Sequence, residues 1–294
     1  MNNFHGTHRS HSYFEGWYFK HQSTVNAIAF IPGVNFNEQG EKKAFIQVIT
    51  RDASFQINYP YSAFRVCRHR PAVRIANNVF SDKGVKIDIS DSKINCTGTI
   101  KYGPLTPLKS DIMGPFRFVP FMECNHGVIS MKHSLTGSLT LNGEEIDLNG
   151  GHGYIEKDWG TSFPTSYLWV QCNRFTENSC SIMVSIAEIP FGGFHFQGCI
   201  GVVNYKGMEY RFATYNGVKI VRCNEAGFIL KQGEYVLEVD MLSKSPQQLF
   251  APKSGVMTRM IRENTSCRAR FRFYRRNVQL FDLKSDEAGY EYVK

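Results

Sequence analysis

Acidic residues that lie among aromatic residues are the side chains of this sequence best suited to chemistry. Glu156 and Asp158 occupy alternate positions in one short stretch, and Glu15 lies in a second aromatic stretch near the N-terminus. Burial of a carboxyl group raises its pKa and keeps a proton available near neutral pH. Aromatic faces stabilise a nearby cation. Together these properties suit the addition of a proton to an alkene.

These residues lead to the hypothesis of one shared site. Asp158 or Glu156 is the proton-donating acid, and Glu15 is a second acid or orients the substrate. His152 is a candidate proton relay. Simpler alternatives stay open, because buried acids often only accept hydrogen bonds from backbone amides, and His152 can be a turn residue bonded to backbone. The candidate ligand-binding residues are the aromatic residues Trp17, Tyr18, Tyr154, Trp159 and Trp169.

The stretch 150–160 lies at mid-chain and is the one around which we expect the rest to be organised. It contains four glycines, three adjacent charges and one of the three tryptophans. Glycine permits positive φ angles and close backbone approach, so the pattern predicts a sharp bend. The alternative is a junction in which an acid caps backbone amides and the tryptophans fill a seam between two sheets.

The sequence lacks the usual signatures of metal and cofactor sites. His126, His133, His152 and His195 show no His-x-His or His-x-x-x-His spacing, so we expect no metal. Walker, dinucleotide-binding and Gly-x-Ser-x-Gly motifs are also missing. Eight cysteines are spread along the chain without a Cys-x-x-Cys pair. Together with a polar, histidine-rich start, they favour a cytoplasmic protein with reduced thiols.

Composition limits the classes of partner. The net charge is +8, but the basic residues are scattered and no nucleic-acid-binding motif is present. No apolar run reaches the ~20 residues of a membrane helix, so membrane contact is at most peripheral. Aromatic residues make up 14% of the chain, which suits a hydrophobic small-molecule ligand. The oligomeric state stays open.

Short strands separated by turn signals dominate the pattern. Residues 135–141 and 181–186 alternate between apolar and polar, and the dipeptides at 142–143 and 216–217 are Asn-Gly turns. In residues 267–274, arginines alternate with Ala269, Phe271 and Phe273. Helical periodicity is missing. The sequence therefore predicts an all-β protein with two barrel-like domains, residues 1–150 and 151–294.

Two motifs resemble the tocopherol cyclase-like family. They are residues 13–20, YFEGWYFK, and residues 153–160, GYIEKDWG, the second of which continues through Phe163 and Pro164 to Trp169. Residues 255–263 resemble a later part of the family, so the resemblance covers nearly the whole chain. It implies an all-β fold of two lipocalin-like β-barrel domains packed against each other. It also implies closure of a chromanol ring from a prenylated quinol, without an organic cofactor.

In that reaction a proton adds to a trisubstituted alkene, and the neighbouring phenol oxygen captures the tertiary cation. Two other functions remain open. One is a non-catalytic binding protein for an isoprenoid or another hydrophobic ligand, and the other is a purely structural protein. A fold of this class hosts many functions, so the fold does not decide between them.

Overall fold

The computed structural model describes residues 4–67, 72–119, 122–176, 179–191, 194–243 and 247–294. Within these residues the secondary structure is β-strand with four short 3₁₀ helices, which confirms the predicted all-β class. No helix in this part of the chain combines the length and the apolar character needed to cross a bilayer. The 3₁₀ helices are His5–His8, Tyr61–Ala63, Gly114–Phe118 and Thr214–Asn216.

The chain divides into two compact units, and each contains segments from distant parts of the sequence. Unit 1 comprises Met1–Leu108, Phe121–Phe163 and Leu249–Met260, and unit 2 comprises Lys109–Pro120, Pro164–Gln248 and Ile261–Lys294. The boundary predicted at residue 150 differs from this division. The physical reason is that residues 152–160 form a strand hydrogen-bonded on both sides within unit 1.

In the first sheet the first strand, β1, pairs with the last strand, β12. Its order is β4-β3-β2-β1-β12-β10-β9-β8-β7-β6-β5, with β11 paired to β10, and the pairings reported for it are antiparallel. Its strands are β1 (Tyr13–Gln22), β2 (Ala27–Phe36), β3 (Lys42–Thr50), β4 (Ser54–Pro60), β5 (Phe64–Val66), β6 (Ala72–Ile75), β7 (Asn78–Ser81), β8 (Gly84–Ser90), β9 (Asn95–Tyr102), β10 (Cys124–Leu141), β11 (Glu144–Asp147) and β12 (His152–Gly160).

The second sheet has the same plan. Its order is β16-β15-β14-β13-β22-β21-β19-β18-β17, and β20 pairs with β21. Its strands are β13 (Tyr167–Cys172), β14 (Cys180–Phe191), β15 (Phe194–Tyr205), β16 (Met208–Ala213), β17 (Lys219–Asn224), β18 (Gly227–Gln232), β19 (Tyr235–Met241), β20 (Gln247–Lys253), β21 (Val256–Arg275) and β22 (Val278–Val293).

Each unit has its own apolar core. In unit 1 the core residues include Trp17, Phe19 and Phe30, and in unit 2 they include Phe271 and Phe273. The arginines that alternate with these phenylalanines pair with acids of neighbouring strands. The predicted alternation of residues 267–274 is therefore confirmed.

The glycine cluster of the central stretch serves close packing rather than one sharp bend. Gly150 has a φ of +67° and turns the chain, but β12 then runs as an uninterrupted strand from His152. A side chain at Gly151 would overlap the Gln22 carbonyl, and one at Gly153 would overlap the His133 ring. The predicted bend is thus confined to the residues before β12. Gly151 and Gly153 instead leave room for the Gln22 backbone and the His133 ring of the neighbouring strands.

We expect Gly153→Ala to lower the free energy of unfolding by about 1–3 kcal/mol, because the added methyl group forces the buried His133 ring to move. The control is Gly16→Ala in β1, where the nearest atom to a new Cβ is 3.5 Å away. Urea unfolding followed by circular dichroism measures both. Equal midpoints for the two variants would contradict the packing account.

Candidate active site

Strand β12 lies between β1 and β10 and presents a different set of residues on each face. Successive side chains of a strand point to opposite sides. Tyr154, Glu156 and Asp158 therefore share one face, and Lys157 and Trp159 share the other with the core residue Ile155. We call the first the acid face and the second the core face.

The structure does not bring Glu15 together with Glu156 and Asp158. In the β1–β12 register Glu15 is opposite Trp159, so its side chain belongs to the core face. Gly16 is opposite Asp158 on the acid face. The expectation of a single site that contains all three acids is therefore wrong, and the sheet itself separates them.

Glu15 is the centre of a saturated hydrogen-bond network on the core face. Its side chain is fully buried, and Lys157 Nζ lies 2.5 Å from its Oε1. Its Oε2 accepts the backbone N–H groups of His5 at 2.9 Å and Gly6 at 3.2 Å, and also the hydroxyl of Tyr13. These donors tie the N-terminal 3₁₀ helix to β1, which is a structural role.

Electrostatics keep Glu15 ionised. Burial by itself would raise the pKa of Glu15, but the hydrogen bond from His5 and the charge of Lys157 outweigh burial and lower it. For Lys157, burial lowers the pKa and the Glu15 carboxylate opposes that effect. A carboxyl group held in its charged form is a poor proton donor. The role of second acid predicted for Glu15 does not fit this environment.

Two of the predicted ligand-binding aromatic residues, Trp17 and Trp159, contact the ammonium group of a buried lysine. Lys157 Nζ lies 5.0 Å from the ring centroid of Trp17 and 5.1 Å from that of Trp159. The ring of His5 stacks on Trp159 with centroids 4.4 Å apart. Trp17 and Trp159 thus stabilise a lysine of the protein itself, through cation–π contacts in a desolvated site.

We expect Glu15→Gln and Lys157→Met each to lower the free energy of unfolding by about 3 kcal/mol or more, because each leaves a buried charge uncompensated. Chemical denaturation at neutral pH measures the loss. The double variant should lose clearly less than the sum of the singles. Glu41→Gln, at an exposed position, is the control. Additive effects of the two substitutions would argue against a coupled ion pair.

The acid face carries a continuous chain of polar groups. Tyr154 donates its hydroxyl to Glu156 Oε2 at 2.5 Å. His126 of β10 follows, with Nε2 3.4 Å from Glu156 Oε2 and Nδ1 2.7 Å from Asp158 Oδ1. We call Tyr154, Glu156, His126 and Asp158 the acid relay. It joins two of the predicted acids through one imidazole ring.

Asp158 is the accessible end of the acid relay. Its side chain is 20% exposed, whereas the side chains of His126 and Glu156 are 10% and 6% exposed. Tyr154 is fully buried, and burial together with the charge of Glu156 raises its pKa well above the usual value. The phenol therefore stays protonated at the inner end, and Asp158 is the group that a ligand reaches first.

Two further side chains surround the acid relay. Tyr18 lies opposite Glu156 and packs edge-on against the Tyr154 ring, with centroids 6.5 Å apart. Cys124 is a neighbour whose pKa is raised well above its usual value by burial and by the charges of Asp158, Glu123 and Glu156. A thiol held in its protonated form is a weak nucleophile. Two of the predicted aromatic residues, Tyr18 and Tyr154, therefore do lie beside the acids.

Three members of the acid relay have side chains that commonly bind metal ions. His126, Glu156 and Asp158 each offer a ligand atom within 4.8 Å of the others. A metal ion needs ligand atoms that converge on one point. Here the carboxylates of Glu156 and Asp158 approach different nitrogens of one ring. The two carboxylates therefore do not converge on one ring nitrogen, and the expectation of no metal stays a prediction.

No sequence motif singles out His126 as a partner of Asp158. It lies 32 residues from Asp158 and belongs to a part of the chain without a recognisable motif. The β10–β12 register places His126 opposite Asp158. Only that non-local pairing reveals the contact, since alternation within a strand gives the face of a residue but not its neighbour on another strand.

His152 lies at the opposite end of β12 from Asp158, paired with Gln22 and Ser134. Its predicted role as a proton relay stays a prediction. Its charge does act on His133, whose pKa burial lowers to about 3, with smaller contributions from His21 and His152. His152 is thus an electrostatic neighbour of a separate buried histidine pair.

His21 and His133 belong to a network of uncharged side chains in the core of unit 1. His21 Nε2 lies 2.6 Å from the Tyr102 hydroxyl, and the Tyr102 ring packs on His133 with centroids 4.4 Å apart. Ser130 Oγ lies 3.0 Å from His133 Nδ1. Burial lowers the pKa of His21 to about 4 although the Ile28 backbone favours the charged ring. Both imidazoles are therefore uncharged in the folded protein at neutral pH.

We expect this network to make the fold sensitive to acid. In the unfolded chain both histidines take up protons near pH 6.5, whereas the folded protein resists until about pH 4 for His21 and about pH 3 for His133. Stability is thus fully present above pH 7 and falls as the pH drops. Between pH 7.5 and pH 5 each histidine should remove about 2 kcal/mol from the free energy of unfolding.

Urea unfolding at several pH values measures this loss. His133→Gln should remove about half of the dependence in this range, and His8→Gln, at an exposed position, should leave it unchanged. The same pH dependence in all three proteins would show that the buried pair is not its source.

Trp169 lies in unit 2, on β13, and is 5% exposed. Its neighbours Leu168 and Val170 belong to the core of unit 2, so Trp169 points to the other face of the sheet. The structure therefore assigns the five predicted aromatic residues to three places. They are the core face of unit 1 (Trp17, Trp159), the acid face of unit 1 (Tyr18, Tyr154) and β13 of unit 2 (Trp169).

Comparison with known proteins gives a family match and two partial relatives. A family model described as tocopherol cyclase-like matches residues 91–292, which is more than half of the chain. A probable chloroplastic tocopherol cyclase of Oryza sativa subsp. japonica is 28% identical over 153 residues, 49% of this chain and 32% of the relative. A chloroplastic tocopherol cyclase of Zea mays is 30% identical over 103 residues, 33% of this chain and 22% of the relative.

The chain thus matches about a third or less of the length of these curated relatives. Two solved structures share its fold at 10% identity. Kievitone hydratase from Nectria haematococca has a TM-score of 0.54 over 95% of this chain and 88% of that chain. CghA has a TM-score of 0.57 over 96% and 88%. Both have a lipocalin-like fold, which confirms the lipocalin-like class expected for this chain.

Proposed function

Because the chain belongs to the tocopherol cyclase-like family, we propose that it is an enzyme that adds a proton to an alkene without a cofactor, with Asp158 as the donor. The observation that carries this proposal is the acid relay, in which His126 joins a partly accessible Asp158 to a buried Glu156. The family match and the relatives' names support the reaction type.

The names of the similar proteins describe two outcomes of one chemical step. A tocopherol cyclase closes a ring, and a hydratase adds water. Both results follow if an acid protonates an alkene and an oxygen atom captures the carbocation. The oxygen belongs to the substrate's own phenol in the first case and to water in the second. The acid requirement is therefore the same for either reaction.

Asp158 can act first as the proton donor and then as the group that takes the proton back. A carboxyl group that carries its proton on Oδ2 donates it to the alkene while Oδ1 keeps its contact with His126 Nδ1. An N–H donor on Oδ1 stabilises the carboxylate that remains. The phenol oxygen then forms the new C–O bond and releases its proton, which the carboxylate takes up. The proton is restored, and the net reaction is an isomerisation.

His126, Glu156 and Tyr154 act behind Asp158. The imidazole of His126 lies between the two carboxylates, with Nδ1 2.7 Å from Asp158 Oδ1 and Nε2 3.4 Å from Glu156 Oε2. Tyr154 donates to Glu156 and fixes that carboxylate against the ring. These three are positioning residues, since Asp158 is the member that a substrate touches. Tyr18 lies on the same face, where an aromatic ring can stabilise a carbocation.

The finer proposal is that the substrate is a prenylated quinol or a related isoprenoid, a hydrophobic small molecule. Support comes from the family, since ring closure needs a phenol near a trisubstituted alkene. The expected cytoplasmic location stays a prediction, and the curated relatives are named as chloroplastic. A binding protein that shelters such a ligand unchanged is the alternative, and the test below separates it from the enzyme.

We expect Asp158→Asn to lower kcat by about 10²–10⁴-fold, because an amide does not donate a proton to carbon. The dissociation constant for the substrate should change by less than about threefold. Incubation of prenylated hydroquinones in D₂O, followed by mass spectrometry, measures turnover. Ring closure adds one carbon-bound deuterium to an isomer of the substrate, and hydration adds D₂O.

Asp88→Asn, an exposed acid of β8 in the same unit, is the isosteric control and should keep full turnover. His126→Asn should lower kcat and shift the pH profile without a matching loss of ligand affinity. Tight binding of the quinol with no deuterium incorporation by the native protein would instead identify a carrier. Full turnover by Asp158→Asn would exclude Asp158 as the donor.

A further inference from the structure

Gly16 is the neighbour of Asp158 on β1. The β1–β12 register places Gly16 opposite Asp158, and the β10–β12 register places His126 opposite Asp158 on the other side. Asp158 therefore has an imidazole on one side and no side chain on the other. Paired Cα atoms of adjacent antiparallel strands lie about 4.5–5.5 Å apart, so a group that rests on Gly16 lies within reach of the Asp158 carboxyl group.

The backbone of β1 does not require a glycine at position 16. Glycine weakens the interior of a strand, and there it commonly marks a bulge, a close approach of another backbone or the approach of a ligand. The φ of Gly16 is not positive. Its pairings with Asp158 and with Gly33 of β2 continue the registers of β1 without a shift. A bulge and a left-handed conformation are therefore excluded as the reason for this glycine.

Packing within the protein does not require a glycine at position 16 either. A Cβ at Gly16 would meet Ile31 Cγ2 at 3.5 Å and the Pro32 carbonyl oxygen at 3.9 Å, which are ordinary contacts. Its partner Gly33 differs, because a Cβ there would overlap the Phe45 ring. The protein thus has room for a side chain at position 16 and does not use it. The approach of a ligand is the reason that remains.

Solvent reaches this part of the acid face. Gly16 is partly exposed, and the Asp158 side chain is 20% exposed. Phe14 and Tyr18 lie two residues before and after Gly16 on the same face, and both are buried. The accessible surface at Gly16 is therefore bordered by one acid across the strand pair and by aromatic side chains along β1. Apolar surroundings with one polar group that fixes orientation are typical of small-molecule sites.

We propose that Gly16 admits the branched end of a trisubstituted alkene and so determines which alkenes Asp158 can protonate. The choice of an alkene rests on the function proposed above. The π electron pair of the alkene forms a bond between its CH carbon and the Asp158 proton, and the positive charge remains on the branched carbon. That carbon carries two further substituents, and the missing side chain of Gly16 leaves space for them. A side chain at this position would hold the alkene away from the acid.

The experiment compares Gly16→Ala with Gly127→Ala in the full chain. Gly127 lies on β10 opposite Lys157, on the core face, and a Cβ there would meet Trp159 Cζ3 at 3.4 Å. The ligands for isothermal titration calorimetry are prenylhydroquinone, which has a trisubstituted alkene, and methylhydroquinone, which has no alkene. Gly16→Ala should weaken the binding of prenylhydroquinone about tenfold, because a methyl group then occupies space that the alkene needs. Its affinity for methylhydroquinone should change by less than about threefold, and Gly127→Ala should keep both affinities.

Turnover gives a second measure. The kcat/KM of Gly16→Ala for prenylhydroquinone in D₂O should fall about tenfold, and that of Gly16→Val should fall further, because the larger side chain fills more of the space. Circular dichroism should show native folding for Gly16→Ala. If Gly16→Val fails to fold, Gly16→Ala decides, because its Cβ meets only ordinary contacts.

Three outcomes would overturn the proposal. The first is native affinity and turnover of Gly16→Ala with prenylhydroquinone. The second is an equal loss of affinity for both ligands, since the alkene would then not be the group at Gly16. The third is failure of the native protein to bind prenylhydroquinone.

The proposed enzyme can fail separately from the role of Gly16. Turnover by the native protein, with undiminished turnover by Gly16→Ala, would leave Asp158 as the donor and refute only the role of Gly16. Binding of prenylhydroquinone that depends on Gly16, in a protein without turnover, would support the position of the alkene and refute only the enzyme.

Discussion

The burial of the Lys157 charge is the constraint on which the rest of unit 1 depends. An ammonium group in an apolar interior needs a counter-charge, and Glu15 supplies it. The ring faces of Trp17 and Trp159 supply the remaining stabilisation. Because β12 alternates, the burial of Lys157 on the core face places Glu156 and Asp158 on the other face. The acids there are neighbours of His126 of β10 instead of the buried lysine.

Much of the fold follows from local sequence pattern. The alternation of residues 135–141 and the Asn-Gly turn at 142–143 mark a strand and a hairpin that the structure contains, because both signals are local. The Asn-Gly pair at 216–217 also turns the chain, but it ends a 3₁₀ helix and does not form a hairpin. The central stretch shows the limit of such signals. Its glycines suggest a bend, but Gly151 and Gly153 lie where the Gln22 carbonyl and the His133 imidazole of the neighbouring strands come too close for a side chain. Local sequence does not distinguish a glycine that turns the chain from one that admits a distant neighbour.

The candidate site was predictable in part for the same reason. Once residues 152–160 are known to be a strand, Tyr154, Glu156 and Asp158 must share a face. The separation of Glu15 depends on the register of β1 against β12, and a slip of one residue would reverse it. The contact with His126 depends on a second register, that of β10, which contains irregularities between Val128 and His133. Neither register is encoded in a short motif.

Glu15 and Asp158 show what separates a structural acid from a chemical one in this protein. Glu15 has no exposed surface and accepts hydrogen bonds from four groups, so a proton on it would break contacts that hold the N-terminal segment. Among the described residues the partner of Asp158 is the His126 imidazole, and part of the Asp158 side chain is accessible. Its protonation therefore disturbs little. The fold alone does not decide whether either carboxyl group is structural or chemical, because two proteins only 10% identical to this chain share that fold. The difference lies in the partners that the neighbouring strands bring to each carboxylate, and those partners are the reason that we propose the acid face as the site of the chemistry.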